Sequence, residues 1–556
     1  MGKEEKILKS YTIGIDFGTL SGRCVLADTA NGKEVAEAVY EYPHAVMDES
    51  LPGGRKLPPQ YALQHPEDYL EVLRRTVRST LEKAQISPEQ VKGIGIDFTA
   101  CTLLPVEEDG TPLCMEEAYR NEPHAYVKLW KHHAAQKEAD DINRLAKERK
   151  EPWLDIYGGK ISSEWVLPKI LQVLREAPEI YHATARFIEA GDWLSWMLTG
   201  EETHSAPFAG YKALWTENGY PSDDFMTALD SRLHGLVGTR LSDKVRGIGE
   251  IAGRLNDNGA ELTGLLPGTP IAMPMIDAHA AMPALNITGD GELMMIVGTS
   301  TCHIMNSRVG RNIEGICGYV RDGVIEGLYT YEAGQAAVGD IFDWYVRNNL
   351  PASYEREAEE KKIGLHALLR EKASRLRPGE SGLLALDWLN GNRSTLDDAE
   401  LTGMILGLTL RTKPEEIYRA WIEATAYGTR MITDCMEERG VTITHITAAG
   451  GIARKDEMMM QIYADVTGKT IRIAGSSQAG ALGSAIYAAV AAEIYPSVPA
   501  AAEAMSVPTV RTYCPDEEKH RVYNALYEEY KILYHYFGKG ENDVMKRLLA
   551  KKKIQK

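Results

Sequence analysis

A chain of 556 residues exceeds what one hydrophobic core supports, so at least two domains are expected. Its 44% hydrophobic and 25% charged residues are those of an ordinary globular protein rather than a disordered or fibrous one. A net charge of −17 excludes broad neutralisation of nucleic-acid phosphates, although a small phosphorylated ligand needs only a few local donors.

The opening stretch, MGKEEKILKS, lacks the apolar segment of a secretory signal. The first recognisable element is YTIGIDFGTLSGRCVLAD: an apolar strand ending in Asp16, a Gly18-Thr19 turn, and a second apolar strand. An aspartate at a tight turn ordinarily serves only its own backbone N–H groups. Strand texture continues to Tyr42, a helix follows over Pro66 to Ala84, and VKGIGIDFTACTLLPVEEDG again reads as strand. From Glu116 to Arg175 the chain reads as mostly helical, most clearly at AYVKLWKHHAA and SSEWVLPKILQVL. FIEAGDWLSWMLTG is a helix stopped by Gly200.

In AMPMIDAHAAMPAL, Asp277 and His279 interrupt an apolar run. Asp277 reads either as a helix cap or as a carboxylate near a substrate hydroxyl; His279 reads as a core histidine. At Gly291 the texture restarts with GELMMIVGTSTCHIMNS, whose strand, Gly298-Thr299 turn and strand echo the first element. The echo suggests two similarly built domains, 1–288 and 289–556. A long amphipathic helix is expected over Pro414 to Met436. VTITHITAAGGIARKDEMMMQIYADVTGKTIRIAG then reads as strand, Gly450-Gly451 turn, helix ending at Gly468, and strand. Leu482 to Ala492, the longest apolar run, is too short to span a membrane. Asp516 to Lys556 is helix-rich and ends in the basic tail KRLLAKKKIQK.

The seven cysteines form neither a CxxC pair nor a zinc-spaced cluster and read as buried thiols of a reducing compartment. A cytoplasmic protein without nucleic-acid or membrane partners is expected. Oligomeric state is not readable from the sequence, so a homo-oligomer is compatible with it. Three glycine turns at Gly18, Gly298 and Gly450-Gly451 fit a nucleotide whose phosphates take backbone N–H and Thr19 and Thr299 hydroxyl donors, with Asp16 beside a magnesium ion. Other frameworks fail: Tyr463 stands where a P-loop ending at Gly468-Lys469 requires glycine, and no protein-kinase motif set or hydrolase triad is present.

GIDFGT, PMIDAHAA, IVGTSTCHI and AAGGIARKDEMMMQIYADVTGKTI, followed by GALGSAIYAAV, resemble the FGGY family of carbohydrate kinases in order and over nearly the whole chain. The resemblance implies an α/β, two-domain actin/hexokinase-like (RNase H-like) fold with a cleft between the domains; because water in an open cleft would compete for the phosphoryl group, the two halves are expected to close over the sugar. It implies ATP and Mg2+ as cofactors and a small ketopentose as partner. KLWKHHAA and FTACTLLPV are most similar to members that phosphorylate L-ribulose in L-arabinose catabolism. Ala100 and Cys101 replace the Arg-Glu pair of glycerol-phosphorylating members, which argues against glycerol. By resemblance Asp277 is the catalytic base, Asp16 the metal-organising acid, and Gly18, Thr19, Gly298 and Thr299 the phosphate turns. Gly339, Gly450, Gly451 and Lys455 fall at the adenosine pocket; Thr99, Ala100, Trp130, Lys131, Lys212 and Glu332 surround the sugar. Alternatives are D-ribulose or xylulose as acceptor, or a non-enzymatic ATP-binding scaffold; for Trp130 a core position and for Lys212 a surface position compete with the sugar role.

Overall fold

The computed structural model describes residues 9–475 and 478–554; most of MGKEEKILKS, Ser476, Ser477 and the last two residues of the basic tail lie outside the described residues. The chain forms two compact units. One comprises Met1–Thr288, Tyr319–Thr330 and Gln478–Val507, the other Gly289–Gly318, Tyr331–Ser477 and Pro508–Lys556. The first long segment ends at Thr288, and two later segments, Tyr319–Thr330 and Gln478–Val507, group with it.

The first unit is built on strands β1 (Tyr11–Phe17), β2 (Ser21–Asp28), β3 (Glu34–Glu41), β4 (Val91–Phe98), β5 (Ile251–Arg254), β6 (Pro270–Ala272) and β7 (Met275–Ile276). They form one sheet in the order β5-β6-β4-β1-β2-β3, with β7 also on β4. β1, β2 and β3 are an antiparallel meander, whereas β4 runs parallel to β1. Ile13, Ile15 and Phe17 alternate into the core with Ile94, Ile96 and Phe98 beside them, and the Phe17 and Phe98 rings stack at 5.1 Å. β7 leads directly into helix α1 (Asp277–Ala284).

A smaller sheet joins Leu63–Gln64, Val127–Lys128, Leu103–Val106 and Arg186–Glu189. It corrects the helix expected at AYVKLWKHHAA: a 3-10 turn at Pro123–Ala125 leads into the strand Val127–Lys128. Ala125, Tyr126, Val127 and Leu129 are all buried, a run too continuous for one helix face, and strands on both sides take up its backbone bonds.

The second unit repeats the local plan. β8 (Glu292–Val297) and β9 (Thr301–Ser307) are an antiparallel hairpin turning at Gly298 to Ser300. With β10 (Tyr329–Gln335), β11 (His445–Ala449), β12 (Ile471–Ala474) and β13 (Thr509–Tyr513) the order is β10-β9-β8-β11-β12-β13. Its helices include α2 (Gly339–Asn349), α3 (Pro414–Glu438), α4 (Gly451–Lys455) and α5 (Glu457–Thr467), the last closed by Gly468 in the left-handed conformation.

The chain then returns to the first unit as helix α6 (Ala479–Ala491), which packs on β1, β4 and α1. The approach is backbone to backbone. A Cβ on Gly14 would stand 1.7 Å from the Ala481 carbonyl oxygen, and one on Gly95 1.9 Å from that of Ser484. The apolar run at Leu482 is thus a core helix, and among the described residues no helix is long and apolar enough to cross a membrane. Gly95→Ala should lower stability by roughly 1–3 kcal/mol or more through overpacking. An unchanged thermal midpoint in calorimetry would show that α6 can back away from the sheet.

Candidate active site

The parallel pairing of β1 with β4 sets Gly14-Ile15-Asp16-Phe17 against Gly95-Ile96-Asp97-Phe98, residue for residue. In-register neighbours project from the same face of a sheet, so Asp16 and Asp97 stand side by side. Asp97 is fully buried, and the Ser484 hydroxyl of α6 donates to its Oδ2 at 2.6 Å. Burial and the neighbouring Asp16 charge push the Asp97 carboxyl well above the usual aspartate range. Burial also raises Asp16, but a hydrogen bond from Asp97 and the positive charge of Arg23, its cross-strand partner on β2, oppose the rise. Asp97 is therefore the member of the pair that holds its proton more tightly, and Asp16 the one that ionises more readily.

Asp277 opens α1, and its Oδ1 accepts the Ala278 N–H at 2.6 Å. A Cβ placed on Gly480, in the first turn of α6, would lie 3.5 Å from Asp16 Oδ2 and 3.6 Å from the Asp277 carbonyl oxygen. The first unit thus brings Asp16, Asp97 and Asp277 together around the α6 N-terminus, and Asp16 and Asp277 both remain partly exposed. His279 is buried with its ring 4.3 Å from that of Tyr211, a core position.

The first unit also holds most of the residues expected at phosphate and sugar. Thr19 is fixed twice: Gln64 Nε2 donates to its carbonyl at 2.8 Å and Trp130 Nε1 to its Oγ1 at 3.1 Å, leaving the hydroxyl proton available to an acceptor. Trp130 is 38% exposed and so is no core residue, and Lys131 beside it is half-buried. Lys212 is no surface lysine either, being buried with its Nζ 5.3 Å from the centre of the Trp165 ring. Ala100 is half-buried and precedes Cys101, whose φ of 49° is left-handed without being glycine. Such a residue stores on the order of 1–3 kcal/mol and persists only where its surroundings hold it. The Thr99 hydroxyl is buried and 2.7 Å from that of Thr102.

The remaining expected residues belong to the second unit. The Gly339 N–H donates to the Gly298 carbonyl at 3.0 Å and the Val338 N–H to that of Thr299 at 2.7 Å. A Cβ on Gly339 would stand 2.5 Å from the Gly298 oxygen, and one on Gly450, whose φ is 98°, 2.4 Å from that of Val297. Three turns far apart in sequence thus meet, and at two of them, Gly339 and Gly450, the facing backbone admits no side chain. Gly451 and Lys455 lie on the exposed side of α4. Glu332 is buried on β10 and accepts from Arg393 Nη2 at 3.1 Å.

Acids at strand ends beside a helix N-terminus mark the first unit, and packed glycine turns mark the second. The N-terminal domain of the FGGY family of carbohydrate kinases matches residues 11–283 and the C-terminal domain residues 293–492. The chain belongs to this family. It is 53% identical to the ribulokinase of Bacillus licheniformis over 542 residues, 96% of this chain and 98% of that one. It is 52% identical to the ribulokinase of Shouchella clausii, over 97% of this chain and 98% of its relative. Among solved structures, a xylulose kinase from Rhodospirillum rubrum superposes with a TM-score of 0.77 at 22% identity, covering 94% of this chain and 98% of that one. The chain thus has the fold of a sugar kinase.

Asp97, Ser484 and Arg23 were not among the residues expected from sequence. One signal was available for Asp97: GIDF occurs twice, at Gly14–Phe17 and Gly95–Phe98. Because Asp97 is raised in the folded state, its contribution to stability is full at acid pH and lost as pH climbs above the usual aspartate range. Asp97→Asn removes that loss. With chelator present, the thermal midpoint of the variant relative to the parent should rise steadily from pH 4 to pH 8. A constant difference would show that the carboxyl titrates normally.

Proposed function

We propose that the enzyme transfers the γ-phosphoryl group of ATP to the terminal hydroxyl of L-ribulose, giving ADP and L-ribulose 5-phosphate, a step of L-arabinose catabolism. One observation carries the reading: Asp16 and Asp277 lie together around Gly480, in a chain about half identical to ribulokinases along its length. The seven cysteines are all free, which supports work in the reducing, ATP-supplied cytoplasm.

Phosphoryl transfer needs placement and charge stabilisation more than covalent help from the protein. Asp277 is the base: its carboxylate orients the sugar hydroxyl and takes its proton as the oxygen attacks phosphorus. Asp16, charged and partly exposed, is the residue that would hold a divalent cation, with Asp97 behind it. The donor set suits magnesium, since it offers only carboxylate oxygens. No cluster of three or more metal-binding side chains exists among the described residues, so phosphate oxygens would complete the shell. When bound, the ion neutralises phosphate charge.

The Thr19 hydroxyl, held by Trp130, and the Gly18 turn serve the phosphates, as do Gly298 and Thr299 of the second unit. Gly339 and Gly450 let the turns of the nucleoside pocket pack together and Gly451 leaves room for the nucleoside, with Lys455 at its edge. Ala100, Trp130, Lys131, Lys212 and Glu332 bind the ketose, while Thr99 acts through Thr102 to set the Ala100 backbone. Holding both substrates in attack geometry is worth roughly 7–11 kcal/mol.

Asp277→Ala should slow turnover about 10²–10⁴-fold while ATP still binds in calorimetry; near-normal turnover removes Asp277 from the mechanism. A coupled assay of ADP release over L-ribulose, D-ribulose, xylulose and glycerol should show the highest kcat/KM with L-ribulose. A higher value with another acceptor overturns the substrate assignment.

A further inference from the structure

Two loops of the first unit carry four of the residues assigned to the sugar: Thr99 and Ala100 on one, Trp130 and Lys131 on the other. Neither loop has regular secondary structure over these positions. Between them lies Lys169, on the helix Val166–Glu176, with no solvent exposure. Its ammonium group donates to the carbonyl of Cys101 at 2.5 Å, to that of Leu129 at 2.9 Å and, longer, to that of Lys128 at 3.5 Å. Three donors meet three acceptors; Cys101 immediately follows one sugar-assigned segment, Leu129 immediately precedes the other, and Lys128 is one residue further back. The acids facing the buried charge are Glu189 and Glu164. The same helix is preceded by Trp165, its N-cap residue, whose ring seats Lys212.

We infer that Lys169 is a positioning residue for sugar recognition: a buried cationic staple that holds the Thr99–Cys101 and Leu129–Lys131 loops in one fixed relation. The inference rests on the sugar assignment above. A lysine in a core is costly unless its charge and all its protons are satisfied. The three carbonyls satisfy the protons, and what the side chain gains for the protein is a tie that extends the single Leu103–Lys128 ladder pair into two loops with no ladder of their own. The tie also accounts for Cys101, whose left-handed backbone presents its carbonyl to Lys169 and is held there by that bond. A neutral side chain of similar length fills the space but ties nothing.

Lys169→Met should raise KM for L-ribulose roughly 10- to 100-fold, as expected when a binding loop shifts by about an ångström, while KM for ATP stays within twofold. Lys169→Arg, which keeps charge and donors, should recover part of the loss. If KM for sugar is unchanged in Lys169→Met, or both KM values rise together, the staple is wrong. If the parent enzyme itself shows no L-ribulose-dependent ADP release, the functional reading fails instead, and the same variants are then read with the ketose the parent accepts. Should Lys169→Met not fold, hydrogen exchange on the parent decides: L-ribulose should slow exchange in residues 99–102 and 129–132 together, and protection of one loop without the other contradicts the tie.

Discussion

The close seating of α6 on the first sheet is the constraint from which the rest of the site follows. Because Gly14 and Gly95 present bare backbone, the helix settles against β1 and β4 at a distance no side chain would permit. That depth decides three further contacts: the Ser484 hydroxyl reaches Asp97, the first turn of α6 reaches Asp16, and Gly483 meets the Ala280 carbonyl of α1. Asp277, at the start of α1, is thereby fixed next to Asp16. A helix N-terminus, whose free N–H groups and dipole favour negative charge, then lies beside the acids. The site is a consequence of sheet packing rather than an addition to it.

Much of this was legible in the sequence, and the failures have physical causes. The hairpins at Gly18 and Gly298, the turn at Gly450 and the helices ending at Gly200 and Gly468 all carry local signals: alternation, glycine and caps. The segment around Trp130 misled because its unbroken apolar run suits a short strand or a helix equally, and only the neighbouring strands decide between them. The return of residues 478–507 to the first unit could not be read from hydrophobicity, since any core would accept α6; the glycines on β1 and β4 that receive it sit hundreds of residues earlier. Asp97 was overlooked although GIDF recurs, because its meaning appears only once β1 and β4 pair in parallel register. Ser484 and Lys169 carry no motif, and their roles are purely tertiary.

Charge is distributed with the same economy. Asp16 and Asp97 could not both ionise cheaply at such close quarters, so burial favours the proton on Asp97 and leaves Asp16, eased by Arg23 and partly exposed, as the more readily ionised member. On the sugar side the sign is reversed. Lys212 over Trp165 brings a cationic group to the assigned ketose positions, while Lys169, its protons taken by carbonyls, holds the loops that carry other such positions.

The account stands or falls on where cation and sugar bind. A crystal of the enzyme with Mn2+, a non-hydrolysable ATP analogue and L-ribulose would locate both, the metal by its anomalous signal. The expected result is a manganese peak beside Asp16 and the terminal sugar hydroxyl about 2.6–3.2 Å from an Asp277 oxygen. Metal bound away from Asp16, or sugar bound out of reach of Asp277, would contradict it.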